Sequence, residues 1–510
     1  MAKTIIDEPS RTFIEYRFHP GQTSKINVPE IISLVTPLVR YNSGSNGISR
    51  INLNTPFSSA VMQSVSGPDL SIALANEGGI SFIFCSQPVE NQAGMVRKVK
   101  NHKAGFVKSD TNLGPGATLE DVLESTKKTG HSTIPITSDG GPYGKLLGLI
   151  TDNDYWPTDS PGTGVRELMT PLEKLDYGTR GIDLSDANQI LRRSKRSCIP
   201  IVRSPEDPRL ESLVFKKDYL MHKENPLAIV DDEKRLIVGA GVNTRDYEER
   251  IPALADAGVD VLVVDTSDGF SDYVADALKW SKERYDIPIG AGNIIAKDAF
   301  YFLAENGADF VKVGIGGGSI CITQEQKGIG RGQATALIDI AEARAEYTAS
   351  SGGDYVPICS DGGLVQDSHI LMALGLGADF VMMGRYFARC HESPPELTEI
   401  KGQKVKPYWG EGSDRAKNWQ RYHTGGKNEL AFEEGVEGFV PYAGYIKDVV
   451  QRTVYKLKST MSNIGCRNLE ELHDNAVIER ASLASMREGK AHDIIFRSDN
   501  MGTYDSKTWG

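Results

Sequence analysis

Ala308-Asp-Phe-Val-Lys-Val313 runs directly into Gly314-Ile-Gly-Gly-Gly-Ser-Ile-Cys-Ile-Thr-Gln-Glu325, and the fold is read from this junction. Its first half is a short, nearly continuous apolar run, the pattern of a strand buried on both faces. Its second half is a glycine-rich loop whose bare backbone can approach a phosphate or a cation. Cys321 therefore sits just past a strand end, where a nucleophile can be mounted. An isolated free cysteine is more often a small packing residue; the surrounding glycines favour the chemical reading here.

The same unit recurs along the chain. Apolar runs, most of them ending in Gly or Asp, begin at Phe57 (Phe-Ser-Ser-Ala-Val-Met), Gly79 (Gly-Ile-Ser-Phe-Ile-Phe), Leu236 (Leu-Ile-Val-Gly-Ala-Gly) and Val259 (Val-Asp-Val-Leu-Val-Val-Asp). Others begin at Ile287, Ala308, Tyr355 and Ala378, which makes eight. Stretches such as Arg250–Gly258 and His369–Gly377 carry a helical apolar period and stop at glycine. Eight buried strands alternating with helices predict an α/β fold, a (β/α)8 TIM barrel.

The spacing breaks once, between the second and third strands, which are separated by about 150 residues. A βα unit needs only a few tens, so an inserted domain is expected. The interval is internally repetitive. One copy reads Thr118-Leu-Glu-Asp-Val-Leu, Ser132-Thr-Ile-Pro-Ile-Thr and Leu147-Gly-Leu-Ile-Thr-Asp-Asn-Asp154; the other reads Leu184-Ser-Asp-Ala-Asn-Gln-Ile, Cys198-Ile-Pro-Ile-Val and Leu213-Val-Phe-Lys-Lys-Asp218. This order resembles a tandem pair of cystathionine-β-synthase (CBS) motifs, the regulatory Bateman module. The resemblance implies an adenine or guanine nucleotide whose ribose is held at Thr151 and Asp154. In the second copy Lys216 stands where the hydroxyl residue would be, which argues against two equal sites. The expected organisation is a barrel of residues 1–102 and 222–510 with the CBS pair at 103–221.

Composition excludes other classes. A formal net charge of -11 argues against a nucleic-acid partner, which calls for a concentrated basic face. The six cysteines (Cys85, Cys198, Cys321, Cys359, Cys390, Cys466) are scattered without a C-x-x-C pair, so neither a disulfide framework nor a zinc site is predicted. No apolar stretch approaches the ~20 residues needed to cross a bilayer, and no secretory leader pattern opens the chain. A cytoplasmic protein without membrane association is expected. After the eighth strand, residues 396–440 form a long polar insertion rich in Gly and Trp, predicted to be a mobile cover over a site.

With these features together, the chain resembles the inosine-5′-monophosphate (IMP) dehydrogenase family over almost its whole length. The motifs are Met62-Gln-Ser-Val-Ser-Gly67, Gly241-Val-Asn-Thr-Arg245, Asp265-Thr-Ser-Asp-Gly269, Gly290-Ala-Gly-Asn-Ile294, the cysteine loop, Ser360-Asp-Gly-Gly363 and Asn418-Trp-Gln-Arg-Tyr422. The resemblance implies NAD-dependent oxidation of IMP to xanthosine monophosphate (XMP), with Cys321 attacking purine C2 to give a thioimidate that water then hydrolyses. It implies that Ser319, Asp361, Gly363, Gly384, Arg385, Tyr408, Glu411, Gly412 and Glu434 bind IMP. Asp361 would take the ribose hydroxyls; Gly363, Gly384 and Arg385 would take the phosphate. Asp265, Thr266, Ser267 and Gly314 would bind NAD at the barrel rim, since no Rossmann G-x-G-x-x-G occurs in a suitable setting. For hydrolysis, Arg421 matches the proposed base with Tyr422 beside it, and Thr323 with Glu434 forms an alternative relay. An arginine, with a pKa above ~12, needs help to act as a base. A monovalent cation, K+, would be held by Gly316, Gly318 and Cys321 with Glu488, Gly489 and Lys490 of a neighbouring subunit, in a homotetramer. Guanosine monophosphate (GMP) reductase is the competing enzyme; a non-catalytic nucleotide-sensing protein is the competing class.

Overall fold

The structure, a computed structural model, describes residues 5–45, 47–102, 109, 111–129, 132–156, 158–182, 184–216, 225–417 and 433–491. Eight parallel strands close into a barrel: β1 Phe57–Ser59, β2 Ile80–Ile83, β3 Gly239–Val242, β4 Val261–Asp265, β5 Ile289–Ile294, β6 Val311–Val313, β7 Ile358–Asp361 and β8 Phe380–Met383. Order around the barrel follows chain order, and β8 closes on β1 with Val381 opposite Phe57. All eight apolar runs read from the sequence are strands. The helices Tyr247–Asp256 and Asp367–Gly375 end where expected, followed by Gly258 and Gly377 at φ +83° and +108°. A left-handed residue there costs glycine little and stops the helix.

Side-chain size alternates inside the barrel. Phe82 on β2, Phe310 just before β6 and Phe380 on β8 are fully buried, with neighbouring ring centroids 5.9 and 5.5 Å apart. Glycines make room for them: a Cβ on Gly239 would lie 2.4 Å from the Phe82 ring, and one on Gly290 2.3 Å from that of Phe310. Each such ring contributes roughly 1.5–3 kcal/mol by leaving water. Strand side chains repeat every second residue, so Lys312 points inward as Phe310 does. Its space comes from Gly292, where a Cβ would lie 2.6 Å from the Lys312 Cβ. A charged layer thus sits above the aromatic one, toward the strand ends.

The chain divides into two compact units, one of Met1–Val99, Leu227–Ile229 and Ile237–Gly510, the other of Lys100–Pro226 and Val230–Leu236. The second unit contains two similar halves. In one, helix Leu119–Thr129 precedes the antiparallel pair Ile134–Thr137 and Leu146–Ile150; in the other, helix Leu184–Ser194 precedes Cys198–Val202 and Leu210–Phe215. The halves share a core of Leu146, Leu149, Cys198, Val202, Leu210 and Leu213. Backbone bonds Leu146 N to Pro208 O (2.9 Å) and Leu210 N to Gly144 O (3.1 Å) join them reciprocally. Asp154 closes a local turn: its Oδ2 accepts from Thr151 N and Oγ1 at 2.7 and 2.8 Å, and its Oδ1 accepts from Thr170 Oγ1 at 3.2 Å. Lys216 is exposed.

The insertion after β8 is more regular than its composition suggests. Thr398–Ile400, Gln403–Trp409 and Glu437–Pro441 form a three-stranded antiparallel sheet with Gln403–Trp409 in the middle. Pro407 hides this strand in the sequence, because proline removes a ladder donor and normally argues against a central strand. The sheet is anchored by Lys406, whose buried ammonium donates to the carbonyls of Cys390, His391 and Ser393 at 2.9, 2.9 and 2.8 Å. Burial pulls that ammonium down to about 8.

Candidate active site

The loops after β4, β6, β7 and β8 converge at the C-terminal ends of the strands, where barrel sites form. The loop after β6 opens with Gly314 at φ +139°, where a Cβ would lie 2.2 Å from the Asp361 carbonyl oxygen, so glycine alone fits. Gln333 supports this loop from behind, donating from Nε2 to Val313 O at 2.7 Å and Ser360 Oγ at 3.2 Å. The Gly363 N–H, expected from the sequence to face a phosphate, donates instead to Gly317 O at 2.9 Å, because the loops after β6 and β7 pack together.

Cys321 is half-buried at the end of the glycine loop, its N–H donating to Gly318 O at 3.2 Å. Its Sγ lies 3.1 Å from Thr323 Oγ1, the first residue of the short helix Thr323–Lys327. Thr323 Oγ1 donates to Glu434 Oε2 at 3.2 Å, and Lys327 Nζ lies 2.7 Å from Glu434 Oε1. Glu434 arrives from the far end of the inserted sheet, where Ile322 N donates to Glu434 O at 3.0 Å and Val436 N to Ile320 O at 3.1 Å. Thiol, hydroxyl and carboxylate thus form one hydrogen-bonded chain.

The charged layer defines a second cluster. Lys312 Nζ lies 2.6 Å from Asp265 Oδ1 at the end of β4 and 2.8 Å from Asp361 Oδ2 at the end of β7. Burial alone would lower the Lys312 ammonium, but the two carboxylates outweigh it and raise it. Asn293 Nδ2 donates to Asp361 Oδ2 (3.0 Å) and Gly314 O (2.6 Å). Asp361 Oδ1 and Asp265 Oδ2 make no hydrogen bond among the described residues, so each carboxylate keeps an acceptor for a ligand hydroxyl. Thr266 Oγ1 donates to Gly292 O at 2.7 Å, while Ser267 is exposed. Beside them opens a cavity of about 610 Å³ lined by Asp268, Phe270, Tyr273 and Phe302 among others.

Sequence reasoning missed Lys312, although a lysine at inward parity with Phe310 was the available signal. Replacing Lys312 with methionine removes the cation that stands between two carboxylates, a change expected to cost the barrel about 3 kcal/mol. A marked drop in the denaturant midpoint of the barrel's unfolding transition checks this; an unchanged midpoint contradicts it.

At the opposite rim, Gly384 precedes the short helix Arg385–Ala388, and a Cβ there would lie 2.6 Å from the Tyr408 hydroxyl. Burial pushes the Tyr408 phenol up, opposed by its hydrogen bond with Ser319. No carboxylate pairs with Arg385 among the described residues, leaving a cation for an anionic group. Glu411 Oε1 accepts from Gln63 N at 2.6 Å, and Trp409 Nε1 donates to Gln63 Oε1 at 3.1 Å. The Met62–Gly67 motif therefore holds the inserted sheet against the barrel. Gly412 O accepts from Glu434 N at 3.2 Å. Arg421 and Tyr422 lie outside the described residues.

Gly316, at φ +72°, and Gly318 belong to the same loop as Cys321, and the Gly318 carbonyl keeps one lone pair beyond its bond to the Cys321 N–H. Glu488 and Gly489 end and follow the helix Leu483–Glu488, with Lys490 N donating to Arg487 O at 3.1 Å. That helix packs against the turn Phe13–Glu15 of its own chain. Among the described residues no group of three or more His, Cys, Asp or Glu side chains converges as metal ligands. No helix among them is long and apolar enough to cross a membrane.

A family model described as the IMP dehydrogenase / GMP reductase domain matches residues 12–492. The chain is 50% identical to the inosine-5'-monophosphate dehydrogenase of Tritrichomonas foetus, over 99% of this chain and 100% of that one. It is 35% identical to the corresponding protein of Schizosaccharomyces pombe, covering 94% and 90%. Among solved structures, a point variant of GMP reductase from Trypanosoma brucei, in complex with guanosine 5'-monophosphate, superposes with a TM-score of 0.83 at 30% identity, covering 96% of this chain and 98% of that one.

Proposed function

We infer the chemistry of this chain from the family it belongs to, the IMP dehydrogenase / GMP reductase family. Within it the chain is an IMP dehydrogenase, an NAD-dependent oxidoreductase of guanine nucleotide synthesis that converts IMP to XMP. The observation that carries the mechanism is the chain Cys321–Thr323–Glu434 beside the Asp265–Lys312–Asp361 cluster. Asp361 holds the IMP ribose through its remaining oxygen, and Arg385 with the backbone at Gly384 holds the phosphate, the Gly363 N–H being taken by Gly317 O. Ser319, Tyr408, Glu411 and Gly412 line the purine side. The Cys321 sulfur then adds to C2.

Bound NAD supplies the acceptor for the hydride that leaves C2. Asp265, Thr266, Ser267 and Gly314 hold its nicotinamide end, and the cavity beside Asp268 and Phe270 has room for the rest. Cys321 is left joined to C2 as a thioimidate. Arg421, helped by Tyr422, activates the water that hydrolyses it, with Thr323 and Glu434 as the second path. Carbonyls of Gly316, Gly318 and Cys321, completed by Glu488, Gly489 and Lys490 of a neighbouring subunit in a homotetramer, would hold K+ and fix the cysteine loop. The second unit is a tandem CBS pair spanning about residues 103–221, with one nucleotide site at Thr151 and Asp154. A cytoplasmic setting suits the free thiol at Cys321.

The discriminating experiment supplies IMP and NAD and follows NADH and XMP. Equimolar formation of both is expected. Reductive release of ammonia from GMP, without oxidation of IMP, would instead assign the chain to the reductase branch.

A further inference from the structure

Lys327 takes no part in the chemistry described above, yet its placement relative to Thr323 is specific. The two residues lie four apart on one short helix, and i, i+4 positions share a face. Both meet the same carboxylate from opposite sides: Lys327 Nζ lies 2.7 Å from Glu434 Oε1, and Thr323 Oγ1 donates to Glu434 Oε2 at 3.2 Å. The Glu434 backbone is held as well, through its N–H to Gly412 O and its carbonyl to Ile322 N. The side chains of Lys327 and Glu434 are 30% and 21% exposed, so solvent only partly screens the pair.

We propose that Lys327 is a positioning residue for the Thr323–Glu434 relay, aiming Glu434 and fixing the direction in which Thr323 passes a proton. This rests on the thioimidate reading of Cys321. A carboxylate held by an ammonium is acceptor-only, so the Thr323 hydroxyl must donate toward Glu434. Its lone pairs then face Cys321 Sγ, 3.1 Å away, where the scissile C2–S bond stands. A water there gives one proton to Thr323 Oγ1 as Thr323 passes its own to Glu434 Oε2, and the water oxygen adds to C2. The C2–S bond breaks, sulfur leaves with the bonding pair and recovers the proton through the relay, and the remaining water proton goes to N3. Without Lys327, Glu434 is free to swing away and Thr323 to donate toward sulfur.

The test uses the full chain with IMP and NAD, comparing Arg421→Ala with Arg421→Ala/Lys327→Met. Arg421→Ala isolates whatever hydrolysis the relay supports. The added Lys327→Met change is expected to leave the first-turnover NADH burst intact and to lower the residual steady rate by about tenfold. Lys327→Arg should restore it, and in an Arg421→Ala/Glu434→Gln background Lys327→Met should add nothing. Burst amplitude counts folded active sites, so misfolding is corrected for directly. An unchanged residual rate, or the same loss whether or not Glu434 is present, overturns the role of Lys327 alone. A missing burst in Arg421→Ala itself overturns the thioimidate reading and this inference with it.

Discussion

Cys321→Ala is expected to abolish NADH formation, by more than about 10⁴-fold, while IMP still binds. In the proposed mechanism the sulfur forms the bond that converts C2 into a hydride donor, and no other described nucleophile replaces it. The nearest hydroxyl, Thr323, already donates to Glu434. In the proposed site nucleotide affinity comes from other groups: the Asp361 carboxylate, held by Lys312 and Asn293, and the Arg385 cation across the rim. Removing the thiol therefore separates binding from chemistry. IMP binding is read by equilibrium titration and catalysis by NADH absorbance. Substantial NADH production by the alanine variant would show that another group is the nucleophile.

Arg421→Ala should stall the reaction halfway. If Arg421 acts only after the hydride has left, the variant gives a rapid burst of about one NADH per active site, then steady turnover slowed by about 10²- to 10³-fold, the range for loss of a general base. The stalled species is covalent. After acid quench, the peptide carrying Cys321 should gain the mass of the nucleotide. The residual rate then measures the Thr323–Glu434 path, whose members meet directly in hydrogen bonds. A reductase that releases ammonia needs no added water, so the same change there would not trap a nucleotide on the cysteine. Loss of burst and steady rate in equal proportion would move Arg421 to hydride transfer or NAD binding.

Much of the architecture is local information. A parallel strand covered on both faces must be apolar along its length, so all eight strands stand out in composition and the break between β2 and β3 marks the insertion. Helix ends at Gly258 and Gly377 are equally local, because a left-handed residue is cheap only for glycine. Cys321 is legible for the same reason: its glycines are contiguous with it in the chain. The strand Gln403–Trp409 was not legible, since Pro407 carries the opposite local signal and the partners that outweigh it lie elsewhere.

Burial and backbone preference act over a few residues, so the amino-acid sequence alone sets the barrel strands, the helices between them and the chemical identity of the groups at their ends. Which of those groups meet is decided by the tertiary structure. Lys312 looks like an interruption in an apolar run until barrel closure brings Asp265 and Asp361, 47 and 49 residues away, to its ammonium. Glu434 is one acid among many until the inserted sheet carries it across 111 residues to Thr323. Hydrogen-bond and ion-pair partners depend on where separate loops are set down in space. That placement is a sum over the whole packed barrel, which no window of sequence contains.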